Sequence, residues 1–446
     1  MRIALVYPEV YDLARFRESR KEFPPFGPLY LAASAEQAGH EVAIFKVSPG
    51  YETLDLRGFD AIGYSLSSSA TYGVIKRARQ TSQHSPDALI MAGGVHANFY
   101  PEQTLLDLRP HVVGVGEGEQ TILDLLEEGR SRRFERVAGI CYLRDGNPVQ
   151  TAARIVKRDI DHLPLPARHL LPADDLVMTD RLAGTDVDMA HTMFSRGCPY
   201  ACRFCAVAKS VIQYRSGLSA RLELQQLKTD YGIGGFAIVD DNFIINRHKV
   251  LDVCNSIADL DLKWSALSRV NTVNPELLNA LRRAGCIELK FGMESGSPRI
   301  LKAMRKNIRP EQISAAVHAA KSAGINVKLF LVHGFPGEDV QSSRETISLL
   351  RQLAPMIDRA SLFRFVPLPG TYVYDHPEEF ALRGTDRNGD WDGDWSRYHI
   401  HHNARHWWGS DHDFRQVQRG YDELAAVVHE FWPDRHDTPR ALPTVA

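Results

Sequence analysis

Two series of short apolar runs alternate with helix-like segments, and a proline-rich stretch separates them. That alternation confines the chain to α/β architecture built from βαβ units. In the first series, RIALVYP reads as a strand, and PLYLAASAEQAGHEV as a helix ended by Gly39 and followed by the strand EVAIF. FDAIGYS, ALIMAGG and VVGVG read as further strands, each ending in Gly or Ser. Ligands of parallel sheets bind beyond the carboxyl ends of the strands. Here those ends carry Ser65 and Ser67, and Gly93 and Gly94.

From 151 to 190 the alternation stops, and DIDHLPLPARHLLP reads as an extended connector. The second series supplies the expected strands HTMFSRG, GFAIVDD, LKWSALS, CIELKFGME, NVKLFLV and RASLFRFVP, with helical segments between them. Six βα units in succession predict a partial (β/α)6 barrel with its site at the strand carboxyl ends. The expected organisation is therefore a sheet domain at 1–150, a linker at 151–190, a barrel domain at 191–370 and a small α-rich region at 371–446. One helix is expected there, near 413–431.

Composition narrows the partners. Lys and Arg number 53 against 55 Asp and Glu, so a net charge of −2 gives no global field to attract nucleic acid. No apolar run reaches the length of about eighteen residues that a membrane helix needs. The segment MRIALVYP enters a strand without signal-peptide architecture, which predicts a cytoplasmic protein. Six cysteines are too few for a disulfide scaffold, yet three of them, Cys198, Cys202 and Cys205, fall within eight residues. Cys141, Cys254 and Cys286 lie in apolar patterns that predict core burial.

The trio, in SRGCPYACRFCAV, follows the first strand of the second series. A structural zinc site needs four ligands, commonly from paired CxxC units, and no second pair exists. Three thiolates on one loop suit a 4Fe-4S cube better, with each holding one iron and the fourth iron open. An iron–sulfur electron-transfer or binding module is the rival of another class, but such carriers commonly use four cysteines and only three are grouped here.

CPYACRFC resembles the CxxxCxxC signature of the radical S-adenosylmethionine (radical SAM) superfamily. PPFGPLYLA, AGGVHANFYPE, GVGEGEQTILDLL, LPLPARHLL, VDDNF, FGMESGS and GFPGE resemble, in order, its subgroup with an N-terminal cobalamin-binding-type domain. The resemblance covers about residues 1–370 and implies a doubly wound, Rossmann-like first domain before the radical SAM barrel. It also implies a cluster whose open iron binds SAM, an external one-electron reductant, and hydrogen abstraction by a 5′-deoxyadenosyl radical. Phe204 is similar to the aromatic against the adenine, and Asp240, Asp241 and Asn242 to the segment near the SAM amino group. By the same resemblance, Arg269 would balance the SAM carboxylate, while Glu294 and Ser295 would face the ribose. Ser65, Ser67, Gly93 and Gly94 would contact cobalamin. The DxHxxG motif that supplies a cobalt ligand in many such domains is absent, and residues 7–27 contain no histidine.

Two outcomes stay open once hydrogen is abstracted. Cobalamin-dependent C-methylation of a small polar metabolite in specialised biosynthesis is the favoured reading. The alternative is cobalamin-independent radical dehydration, deoxygenation or rearrangement of an amino-sugar-like substrate, with the first domain as a scaffold. No general acid or radical-quenching residue is assigned. In DRNGDWDGDW, Asp390, Trp391, Asp392 and Trp395 could recognise a cationic or sugar-like ligand through ion pairs and cation–π contact, or form a solvated acidic loop. The histidines at 399, 401, 402 and 406 match no common metal-binding spacing.

Overall fold

The computed structural model describes residues 1–9, 23–48, 50, 53–128, 131–182, 185–383, 393–398, 407 and 411–433. Two seven-stranded sheets organise the chain. In the first, Glu41–Val47, Arg2–Pro8, Ala61–Ser65, Leu89–Gly93 and Val112–Gly114 lie side by side in parallel. An antiparallel hairpin, Ile140–Arg144 with Asn147–Gln150, closes one edge.

Alternation along these strands feeds two cores. Ile3 and Leu5 join Ala32, Ala35 and Leu125 on one face, while Ala4 and Val6 join Tyr64, Ile75 and Leu105 on the other. The second of these cores does not stop at the domain edge. It continues through Ile300, Met304, Phe335 and Phe365 to Trp395, Tyr398 and Trp407, so the C-terminal region and both sheets share buried apolar surface.

The second sheet carries six parallel strands in order: Thr185–Thr192, Gly235–Ile238, Lys263–Ser268, Cys286–Glu294, Asn326–His333 and Arg359–Arg364. It is open, because its terminal strands do not pair with each other. Side-chain caps start the helices between these strands. Ser216 accepts from Ser219 N–H, Asn246 from His248 and Lys249, Asn274 from Leu277, and Asp339 from Ser342. A single core under the helices takes Trp264, Leu289, Phe291, Leu329 and Leu362 from alternate strand positions.

Two expectations shift. The first parallel strand is Thr185–Thr192, upstream of HTMFSRG, and Val177–Leu182 pairs with it antiparallel inside the stretch read as linker. VMTDRL is an edge strand of mixed polarity, so it lacks the continuous apolar run that marks a central parallel strand. The proline-rich part is extended but held at both sides. Arg215 donates to the Leu163 and Pro164 carbonyls, and Ala167 N–H to Leu29 of the first domain. The helix Asp411–Phe431 stands where one was expected, and among the described residues no helix is long and apolar enough to cross a membrane.

Arg168, in the connector, donates to Glu223 at 2.6 Å and to the His191 carbonyl at 2.9 Å, with both side chains buried. Removing one partner of such a pair strands the other charge. Arg168→Ala should therefore lower stability by about 3–5 kcal/mol, read from urea denaturation. The double variant Arg168→Met/Glu223→Met should regain most of that loss.

Candidate functional site

The cysteine loop is stapled at its base. Ser195 and Arg196 pair antiparallel with Tyr214 and Gln213, closing the intervening residues into one loop. Within it, Cys198 N–H donates to Ser210 Oγ at 2.8 Å and Ser210 N–H returns to the Cys198 carbonyl at 3.0 Å. Gly197 has φ +83°, and a Cβ there would strike the Val211 carbonyl, so the turn into Cys198 needs glycine. Arg203 N–H donates to the Met304 carbonyl, and its own carbonyl accepts from Val373, which fixes the far side.

The three thiols lie close enough for Cys198 and Cys205 to feel their neighbours. Burial lifts Cys205 to about 11 and lifts Cys198 as well, with the neighbouring thiols and Asp241 adding to the effect. Arg269, just past the third parallel strand, donates to Cys202 Sγ at 3.2 Å and stacks its guanidinium 3.9 Å from the Tyr200 ring centroid. It also donates to the Lys306 carbonyl. Among the described residues no group of three or more His, Cys, Asp or Glu side chains is set to hold a single metal ion.

The strand-end acids are mostly engaged. Asp240 accepts from Phe194 N–H at 2.9 Å and Ser195 Oγ at 2.6 Å, and burial raises its pKa to about 8. Asp241 accepts from Gly197 N–H at 3.1 Å. Both therefore brace the cysteine loop, and Asn242 alone of the three keeps a buried amide with neither nitrogen nor oxygen partnered. Glu294, at φ +60° beside a bulge, forms a buried ion pair with Lys306. Ser295 turns away to Thr346 Oγ1 at 3.1 Å and caps Ser297 N–H. Phe204 is half-buried, 5.9 Å from Lys306 Nζ.

Beside this loop, a cavity of about 410 Å³ opens at the carboxyl ends of the first sheet, a size typical of ligand sites. Ser65, Gly93 and Gly94 line it; Ser67 is exposed and outside it. At Gly27, Gly93, Gly114 and Gly116 a Cβ would meet nothing closer than 3.7 Å, so these glycines leave a cradle that side chains would fill. Gly94 is different: at φ +113° its Cβ would lie 2.7 Å from the Leu66 carbonyl oxygen.

The second domain closes one side of that cavity with Met193 and Arg196. Arg196 pairs with Glu117 and with Glu119 at 2.6 Å, and lies 4.8 Å from the Tyr30 ring centroid. Gln213 adds a bond to Glu117 at 3.1 Å. Sequence reasoning missed this clamp, although both acids lie in GVGEGEQ, and it also missed Tyr200 and Lys306.

The residues fit the cofactors that the resemblance implies. Three soft thiols on one braced loop, an orphaned buried amide beside it and a glycine-lined cradle match a cluster, SAM and a large flat ligand respectively.

The Radical SAM superfamily pattern matches residues 192–350, and the B12 binding domain pattern matches residues 14–126. An uncharacterized methyltransferase of Pyrococcus horikoshii is 30% identical over 84% of this chain and 83% of its own length. The chain belongs to the radical SAM superfamily and carries a B12-binding domain. Anaerobic magnesium-protoporphyrin IX monomethyl ester cyclase of Rubrivivax gelatinosus is 26% identical, over 83% of this chain and 68% of that one. The fold is shared with the radical SAM methyltransferase TsrM of Kitasatospora setae, solved with cobalamin and a [4Fe-4S] cluster bound. That match has a TM-score of 0.73 at 14% identity and covers 100% of this chain and 92% of that chain.

Trp395 packs among aromatic rings and also lines a cavity with Tyr72, Tyr100 and Gln103. It is 8% exposed, with ring centroids of His96 at 4.6 Å, Tyr100 at 5.0 Å and Tyr398 at 5.5 Å. Asp390, Trp391 and Asp392 lie outside the described residues, as do the histidines at 399, 401, 402 and 406. Trp395→Ala should lower stability by about 3–5 kcal/mol, as loss of a buried aromatic does, measured by chemical denaturation. A fully stable variant with weakened substrate turnover would return Trp395 to substrate recognition. Gly94→Ala should cost more than about 1 kcal/mol, since it combines a forbidden φ with a backbone clash, on the same readout.

Proposed function

We propose that this protein is a cobalamin-dependent radical SAM methyltransferase that C-methylates a small polar molecule. The observation that carries this reading is the clamp of Arg196 on Glu117 and Glu119, which sets the glycine-lined cavity beside the cysteine loop. Methyl transfer requires that adjacency, whereas a vestigial first domain does not. The Pyrococcus relative and the TsrM fold, both described as methyltransferases, support the same reading.

When bound, a reduced 4Fe-4S cluster with SAM supplies hydrogen abstraction from an unactivated C–H bond, and cobalamin supplies the methyl group. Cys198, Cys202 and Cys205 would hold the cluster, and the Arg269 N–H on Cys202 Sγ helps fix where that sulfur points. Asp240 and Asp241 hold the loop backbone at Phe194, Ser195 and Gly197, so that the thiols stay preorganised. Asn242 offers its unpartnered amide to a polar group of SAM, and Phe204 an aromatic face. Gly93, Gly94 and Ser65 would receive cobalamin, with backbone approaching where no Cβ intervenes. An external one-electron reductant is the partner this chemistry needs.

The Rubrivivax cyclase keeps a second outcome in view, because its name describes ring formation rather than methylation. Replacement of Cys198, Cys202 and Cys205 by Ala should abolish both the cluster absorbance and 5′-deoxyadenosine formation. Survival of either would contradict the assignment.

A further inference from the structure

Charge sits where a barrel strand usually carries apolar or small side chains. In CIELKFGME, Leu289, Phe291 and Met293 enter the core beneath the helices, so Glu288, Lys290 and Gly292 take the opposite, concave face. The same alternation puts Lys328 and Phe330 on that face, with Val327, Leu329 and Leu331 behind them. In the last strand Ala360 and Leu362 enter the core, which leaves Arg359, Ser361 and Phe363 facing inward.

Register aligns the cations. Lys290 is directly opposite Lys328, and Lys328 directly opposite Arg359, giving three cationic side chains in one row across three adjacent strands. The row above it holds Gly292, Phe330 and Ser361, and beyond that lies Phe363, 5.8 Å from Phe330 between ring centroids.

The nearby carboxylates are committed. Glu288 takes two bonds from Arg359, one of them 2.7 Å, and Asp180 lies 3.8 Å from the same guanidinium. Lys328 lies 5.1 Å from the Phe330 ring centroid and has a further interaction of its own. Lys290 is half-buried and forms no hydrogen bond or ion pair among the described residues. Burial pushes its ammonium down to about 8, Glu288 and Asp180 pull it back up, and Lys328 and Arg359 oppose them. Lys328 and Arg359 repel this ammonium, and an anion joining the row would relieve that repulsion.

We infer that Lys290 is a substrate-binding residue that receives an anionic group, carboxylate or phosphoryl, on the concave face of the barrel. Lys290 precedes Glu294 by four residues, so the anion site lies about 13 Å along the strand from the strand end beside the cysteine loop. A substrate held there by its anionic end extends past Phe330 toward the strand ends. This inference rests on the enzymatic reading above and names the substrate class for it, replacing the expectation of a cationic ligand.

The test is equilibrium dialysis of the full-length, anaerobically loaded protein against labelled inorganic phosphate and, separately, labelled acetate. Wild type, Lys290→Met and Lys290→Arg are compared. Wild type should bind one of the two saturably, and the preferred anion tells a phosphoryl substrate from a carboxylate one. Lys290→Met should weaken that binding by about tenfold or more, the usual scale for loss of a charged hydrogen-bond partner, while Lys290→Arg should retain most of it. The thermal midpoint of Lys290→Met should equal or exceed that of wild type, since an unpaired cation is removed. Equal binding by wild type and Lys290→Met, or saturable binding of neither anion, overturns the inference. A lowered midpoint of Lys290→Met with unchanged binding makes the lysine structural and overturns it equally. Formation of 5′-deoxyadenosine by wild type is followed in the same preparations; its absence refutes the radical SAM reading and leaves the anion result to be judged separately.

Discussion

One guanidinium joins the two halves of the site. Arg196 immediately precedes the Gly197 turn into the cysteine loop, and its side chain reaches Glu117 and Glu119 at the mouth of the first-domain cavity. A guanidinium that bonds two separate carboxylates through its two terminal nitrogens fixes orientation as well as distance, which a lysine in the same place would not do. The loop is in turn braced by Asp240 and Asp241, and Arg269 reaches Cys202 from the next strand. Movement of the first domain would therefore pull directly on the segment that carries the thiols. The continuous core from Ile75 through Phe335 to Trp407 resists that movement from the other side.

Polar residues at strand ends divide into two kinds of work. Asp240, Asp241, Ser295 and the Glu294–Lys306 pair are mostly satisfied within the protein, and hold loop geometry. Asn242 is not, and a buried amide without a partner among the described residues points to something outside the chain. Chemistry and scaffold thus lie within a few residues of each other on the same strand ends. The scaffold residues are the more numerous.

Much of the architecture was legible because its signals are local. The helix-forming segments end in Gly or start at Ser, Asn and Asp caps, and the apolar runs between them have the length of buried strands. The trio was legible because three thiols in eight residues have few uses. The edge strand Val177–Leu182 was not, since its polarity follows from being at an edge, which only the completed sheet defines. The packing of Trp395 was hidden for a related reason. Next to aspartates in sequence it reads as a ligand platform, but its ring partners, Tyr72, His96 and Tyr100, lie some 300 residues earlier in the chain. The charged alternation Glu288, Lys290 in an otherwise apolar strand was visible throughout, yet its meaning depends on the register that sets Lys290 opposite Lys328 and Arg359.

The account stands on the first-domain cavity taking part in the reaction rather than only supporting the barrel. Its most direct measurement is the cobalamin content of protein purified anaerobically from cells supplied with cobalamin, by the absorbance of the released corrin. The account predicts close to one equivalent per chain, lost when Glu117 and Glu119 are both replaced by Gln. Protein that binds no cobalamin while still cleaving SAM would contradict it, and would make the first domain a scaffold.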